Sequence, residues 1–210
     1  MKSIVFPAMS VLPNIPNIYH ALGYLKEKTL VKGVLGKEIN RYIEEAQGFI
    51  ELKGTALRLN VIEIAHEQIL LKNKTIFKSA ALAKFLKGST QVLLFGATAG
   101  QAIMDVIAQK SKEQDLTRAV VYNAVAGEMA DEALTWIGQY MHQQLLREGL
   151  ALDNRRFSAG YGDFNIEYQK VFWELLNLKD IGVSITKASL LVPEKSVTAL
   201  SGIRASKSSQ

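Results

Sequence analysis

An arginine, two glycines, a tyrosine and an aspartate fall within eight residues, Arg156-Phe157-Ser158-Ala159-Gly160-Tyr161-Gly162-Asp163. Arginine offers a planar fork that matches a carboxylate or phosphate. Glycine lets the backbone approach a ligand closely and reach positive φ. Tyrosine adds a flat apolar face with a polar tip. Together they suit a small molecule with an acidic end and a flat end. The alternative is a helix C-cap beside a solvated arginine, which composition alone favours. A second stretch, Gly96-Ala97-Thr98-Ala99-Gly100, joins an apolar strand pattern to a helix pattern. That order suits an anion at a helix N-terminus. The spacing is neither the dinucleotide fingerprint nor the P-loop, so a plain tight connection is the simpler account. Glu128, Asp131 and Glu132 form an acidic cluster just after Gly127.

Other chemistry is absent. The chain has no cysteine, which excludes disulfides, thiolate metal sites and thiol nucleophiles and favours a cytoplasmic protein. His20, His66 and His142 are far apart and show no metal-ligand spacing. No serine lies in a pattern that implies an activating base. The net charge of +5 and pI near 9.3 come from scattered lysines and arginines. This gives a weak attraction to anions without a nucleic-acid-binding block. No run approaches the ~18 apolar residues of a membrane span, and the N-terminal segment lacks a secretory pattern.

The elements that would position these residues follow from period and punctuation. At 210 residues, 48% hydrophobic and 21% charged, the chain can bury a sizeable core. Residues 1–17, with Pro7, Pro13 and Pro16, read as an extended arm. Helices are expected at 18–24, 37–53, 79–86 (capped by Ser79), 101–112, 115–147 and 167–177. Gly33 and Gly36 read as a turn, and Gly54 as the end of the helix before it. Strands are expected at 55–64, 68–71 and 91–95, and around Pro193-Glu194-Lys195-Ser196 between 181 and 203. The first two should pair antiparallel. Residues 204–210 read as a frayed tail. Helices mixed with antiparallel strands and no linker predict an α+β fold in a single domain over 1–210.

The Arg156–Phe164 motif, followed by Val192-Pro193-Glu194-Lys195-Ser196-Val197-Thr198-Ala199, resembles the activation domain of cobalamin-dependent methionine synthase, in its stand-alone version. Ala21-Leu22-Gly23-Tyr24, Leu94–Gly100 and Ile181–Thr186 resemble further elements of that family. The resemblance implies a curved antiparallel sheet flanked by helices, with S-adenosylmethionine as ligand. It implies that Arg156 pairs with the methionine carboxylate and that Gly160 and Tyr161 complete the grip. It places Ser158 and Ala159 where family backbone groups meet the ligand. A family glutamate matches Glu132, with Glu128 as the competing alignment. The implied role is an accessory subunit that supports reductive methylation of cobalamin carried by a partner, methionine synthase or another corrinoid protein. Reduced cobalt is the nucleophile there and the sulfonium is already a good leaving group, so no catalytic side chain is implied. The same fold serving another corrinoid methyltransferase system, or an interaction module without a ligand, is the alternative. Two departures stand out: no acidic ligand contact can be placed near the N-terminus, and a family segment that adds a tyrosine contact beyond the hairpin has no match here.

Overall fold

A computed structural model describes residues 3–24 and 33–206. Its centre is an antiparallel sheet in the order β4-β3-β2-β5-β9-β6, with β1 also paired to β2. The strands are β1 (Ile4–Phe6), β2 (Lys53–Ile64), β3 (Gln68–Leu71), β4 (Ile76–Lys78), β5 (Gln91–Thr98), β6 (Leu150–Leu152) and β9 (Ser196–Ala205). A separate ribbon pairs β7 (Ser184–Ile185) with β8 (Leu191–Val192). Six α-helices are seen among the described residues: α1 (Ile15–Ala21), α2 (Gly33–Gln47), α3 (Ala80–Leu86), α4 (Gln101–Lys112), α5 (Leu116–Leu146) and α6 (Tyr168–Leu175). The predicted α+β class, with a curved antiparallel sheet between helices, is the observed one.

Alternate residues along a strand point to opposite faces, and here both faces are covered. Ala56, Leu93, Phe95, Ala97, Ala199 and Ile203 join the core beneath α1, α2, α4 and α5. Leu57, Leu59, Val92, Leu94 and Leu200 join a second core with α3 and α6. Burial on both sides explains the near-continuous apolar run of β5. That strand is longer than expected: it runs through Gly96 to Thr98. Gly100 caps α4 at φ +88°, and a Cβ there would lie 3.2 Å from Cβ of Glu51. Conformation and close packing thus account for this glycine, as a plain connection requires.

Several expected boundaries move, each for a local reason. Helix α1 starts at Ile15, because the Asn14 side chain accepts from the Asn17 N–H and Pro16 sits in the first turn. Helix α2 begins at Gly33 and contains Gly36, which is buried on its inner side. It stops at Gln47. Phe49, Ile50 and Leu52 continue the apolar spacing, but the backbone has left the helix: Glu51 N–H bonds the Ala99 carbonyl and Met9 N–H bonds that of Leu52. Lys53 and Gly54 therefore belong to β2. The N-terminal arm is part strand: Phe6 is buried, edge-on to Trp136 and Tyr140 at 5.4 Å. Helix α6 ends at Leu175, and a 3₁₀ turn, Leu178–Ile181, follows Asn177 at φ +50°. Arg204 and Ala205 lie in β9, paired with Ala151 and Leu150, while residues 207–210 of the expected tail lie outside the described residues. The predicted antiparallel pairing of β2 with β3 and the Ser79 cap are both present.

Candidate functional site

The segment after β6 is extended, not the inter-helix loop that the sequence suggests. Asp153 N–H bonds the Gly202 carbonyl at 2.8 Å. Phe157 exchanges two backbone bonds with Leu200, at 2.8 and 2.9 Å. Ser201 donates its hydroxyl to the Arg155 carbonyl, and Ser158 donates to that of Thr198. The segment is thus laid along β9, on the side where β6 forms the edge of the sheet.

This seating decides where the side chains go. Phe157 packs with Phe85 and Phe164 in the α3/α6 core. Arg156, its neighbour, reaches α5. Its Nη2 lies 2.8 Å from Asp131 Oδ2, and its Nη1 donates to the Asp131 backbone carbonyl at 3.3 Å. The Arg156 side chain is 29% exposed and that of Asp131 54%, so the pair sits at the rim of the fold. Arg156 also borders a cavity of about 410 Å³ between α5 and residues 152–156, with Gln139, His142, Asp153 and Asn154 on its walls and Phe95 among its apolar contacts. Leu152 N–H donates to His142 Nδ1 at 3.2 Å, which ties the imidazole to the start of the segment. Asp153 is held below the ordinary carboxylate range, chiefly by its hydrogen bond from Arg155.

Beyond Arg156 the chain turns tightly. Gly160 has φ +93° and Gly162 φ +58°, values that favour glycine at both. Gly160 N–H bonds the Phe164 carbonyl at 2.7 Å and Phe164 N–H bonds that of Tyr161 at 3.0 Å. Ala159 and the ring of Phe164 are buried. Tyr161 stands out, 67% exposed. Asp163 reaches α3, where it accepts from the Ser79 hydroxyl and from the Ala80 and Ala81 N–H groups. Those bonds, the Ser79 hydroxyl first, hold its carboxyl below the usual range.

The structure therefore brings Arg156, Ser158, Ala159, Gly160 and Tyr161 into one anchored segment. Of these, Arg156 alone lines the cavity. Glu132 is half-buried on α5, but the acid that meets Arg156 is its neighbour Asp131. Glu128 accepts from the Asn17 side chain at 2.8 Å. Sequence reasoning did not single out Asp131. Helical spacing puts Glu128, Asp131 and Glu132 on one face, which narrows the choice without making it. Asp163 as a clamp on α3 had no sequence signal beyond its place beside Gly162. Among the described residues no group of three potential metal ligands occurs, and no helix is long and apolar enough to cross a membrane.

No family model matches the chain, and no curated protein matches it. Solved structures do. One, described as "Crystal Structure of the MetH Reactivation Domain bound to AdoHcy", has a TM-score of 0.63 and 15% identity over 94% of this chain and 75% of that chain. The fold is that of the MetH reactivation domain. At this identity the likeness concerns the path of the backbone. In this chain the extended segment that meets α5 carries the arginine, glycines and tyrosine described above.

Proposed function

We propose that this protein binds S-adenosylmethionine, or S-adenosylhomocysteine, on the Arg156–Tyr161 segment and presents it to cobalamin carried by a partner protein. The partner would be the cobalamin-binding domain of methionine synthase or another corrinoid protein, and the outcome reductive methylation of the cofactor. The observation that carries the reading is the partly buried Arg156 guanidinium on a backbone pinned to β9 on both sides, five residues before an exposed tyrosine. The solved neighbour's bound AdoHcy supports the same ligand class.

The residues suit such a ligand. Arg156 would take the carboxylate, and an acid on α5, which the family resemblance matches to Glu132 or to Glu128, would favour a cationic group. The glycine-rich turn at Ser158, Ala159 and Gly160 would let the ligand lie against backbone, with Tyr161 beside its flat end. The ligand supplies a methyl group on a sulfonium, an electrophile with its leaving group in place. The chain's own contribution is then binding and orientation, catalysis by positioning, for which neither acid nor base is required.

Calorimetric titration with S-adenosylmethionine, with ATP as control, tests this. The wild type should bind the first and not the second. Arg156→Ala should weaken binding by about 2 kcal/mol, roughly thirty-fold; this is the lower end of the range for truncating a charged pair, because the site is partly solvated. Saturable binding in the wild type that is unchanged in Arg156→Ala would overturn the site. Adding the cobalamin-binding domain of methionine synthase should then yield a complex on size exclusion, and no complex would remove that partner.

A further inference from the structure

Resting on the ligand reading above, we infer that Asp131 is the acceptor for the ligand's α-ammonium, and that its pair with Arg156 is the ligand-free form of a two-sided amino-acid clamp.

An α-amino acid presents a carboxylate and an ammonium two bonds apart. A site that reads both needs a cation and an anion at matching separation. The Nη2 of Arg156 and Oδ2 of Asp131 are 2.8 Å apart in the ligand-free chain. The pair stands where the β9-seated segment meets α5, four residues before Gly160 and five before the exposed Tyr161. Both backbones are fixed. Arg156 lies between the Ser201–Arg155 and Phe157–Leu200 bonds, and Asp131 is in the middle of a 31-residue helix. Its carbonyl also accepts from Thr135 Oγ1 at 3.2 Å and from Arg156. The two charged groups can therefore part by side-chain rotation while their Cα atoms stay in place.

The energetics favour exchange. A rim ion pair in water contributes little, because solvent and salt screen it. Opening it costs correspondingly little. A bound zwitterion replaces one ion pair with two charge-assisted contacts, ligand carboxylate to Arg156 and ligand ammonium to Asp131. The neighbouring acid Glu128 is engaged elsewhere, accepting from the Asn17 side chain at 2.8 Å. Asp131 is the acid already in register with the arginine.

The test uses S-adenosylhomocysteine, whose only cation is the ammonium, beside its analogue lacking the α-amino group. Wild type, Asp131→Asn and Arg156→Ala are titrated with each. Asp131→Asn should bind S-adenosylhomocysteine at least roughly tenfold more weakly, the size expected for losing one hydrogen bond to a charged group. It should bind the deaminated analogue as the wild type does, or more tightly. Arg156→Ala should weaken both. Asp131→Glu should restore part of the loss for S-adenosylhomocysteine alone. Equal weakening of both ligands in Asp131→Asn would make Asp131 a structural residue and overturn the inference. Tighter binding of both would make it only a competitor for Arg156 and overturn it equally. Wild-type failure to bind S-adenosylhomocysteine would overturn the ligand reading itself, a result distinct from either.

Discussion

Replacing Phe164 with alanine should both destabilise the fold and loosen the Arg156–Tyr161 segment. The ring is 1% exposed. It stacks on Tyr168 with centroids 4.8 Å apart and meets Phe77 edge-on at 5.4 Å, with Phe157 and Phe172 each at 6.2 Å. Truncating a buried phenylalanine costs about 3–5 kcal/mol, from lost transfer energy and the cavity left behind. Four ring partners argue for the upper half of that range, since aromatic pairs add about 0.5–1.5 kcal/mol beyond area. For a chain of this length the melting temperature should fall by roughly 8–20 °C. The backbone of the same residue closes the glycine turn through Gly160 and Tyr161. Loss of the ring should therefore weaken S-adenosylhomocysteine binding even where the variant is still folded. Urea unfolding followed by far-ultraviolet circular dichroism measures the first effect, and calorimetry at 10 °C the second. Phe164→Leu should lose only about 1–2 kcal/mol, because it refills most of the cavity. A loss below 1 kcal/mol in Phe164→Ala would refute the packing argument. Unchanged affinity in the folded variant would refute the link from the aromatic cluster to the turn.

Three further outcomes follow from specific contacts. Asp163→Asn should lower the thermal midpoint and weaken ligand binding, because the carboxylate accepts from Ser79, Ala80 and Ala81 at the start of α3. Its depressed pKa means that this contribution is present above the ordinary aspartate value of about 3.9 and fades as pH falls through the lower folded value; thermal melts from pH 6 to pH 3 on both proteins check it. The Tyr122 phenol is pushed up to about 12, by burial first and then by Glu45, to which it donates at 2.9 Å. A raised pKa stabilises the fold fully below the unfolded value of about 10 and loses that contribution as pH rises towards 12, so alkaline melts should show a fall that Tyr122→Phe reduces. Gly54→Ala should cost about 1–3 kcal/mol in urea unfolding, because the added carbon would sit 2.5 Å from Ile137 Cδ1 and 3.0 Å from the Gly96 carbonyl oxygen, in a layer with little room to move.

Much of the local structure is legible in the order of residues. The apolar period marks α5 to within a residue at each end. Ser79 marks α3, and the alternation at Leu57–Val61 marks β2. The chemistry-bearing stretch, Arg156 to Asp163, is visible because its residue types are unusual together. These features depend on neighbours within a few positions, which is what periodicity and capping report. Tertiary structure decided the rest. Residues 49–52 keep a helical apolar spacing yet lie in irregular backbone, because Ala99 and Met9 supply their hydrogen bonds. Strand β6 and the extended Asp153–Ser158 segment exist only against β9, some fifty residues later in the chain. That pairing turns Phe157 inward and Arg156 towards α5. The choice of Asp131 over Glu128 or Glu132 depends on how far the β9-seated backbone lies from one turn of α5. Such a distance is set by packing between elements distant in sequence, and no local pattern encodes it.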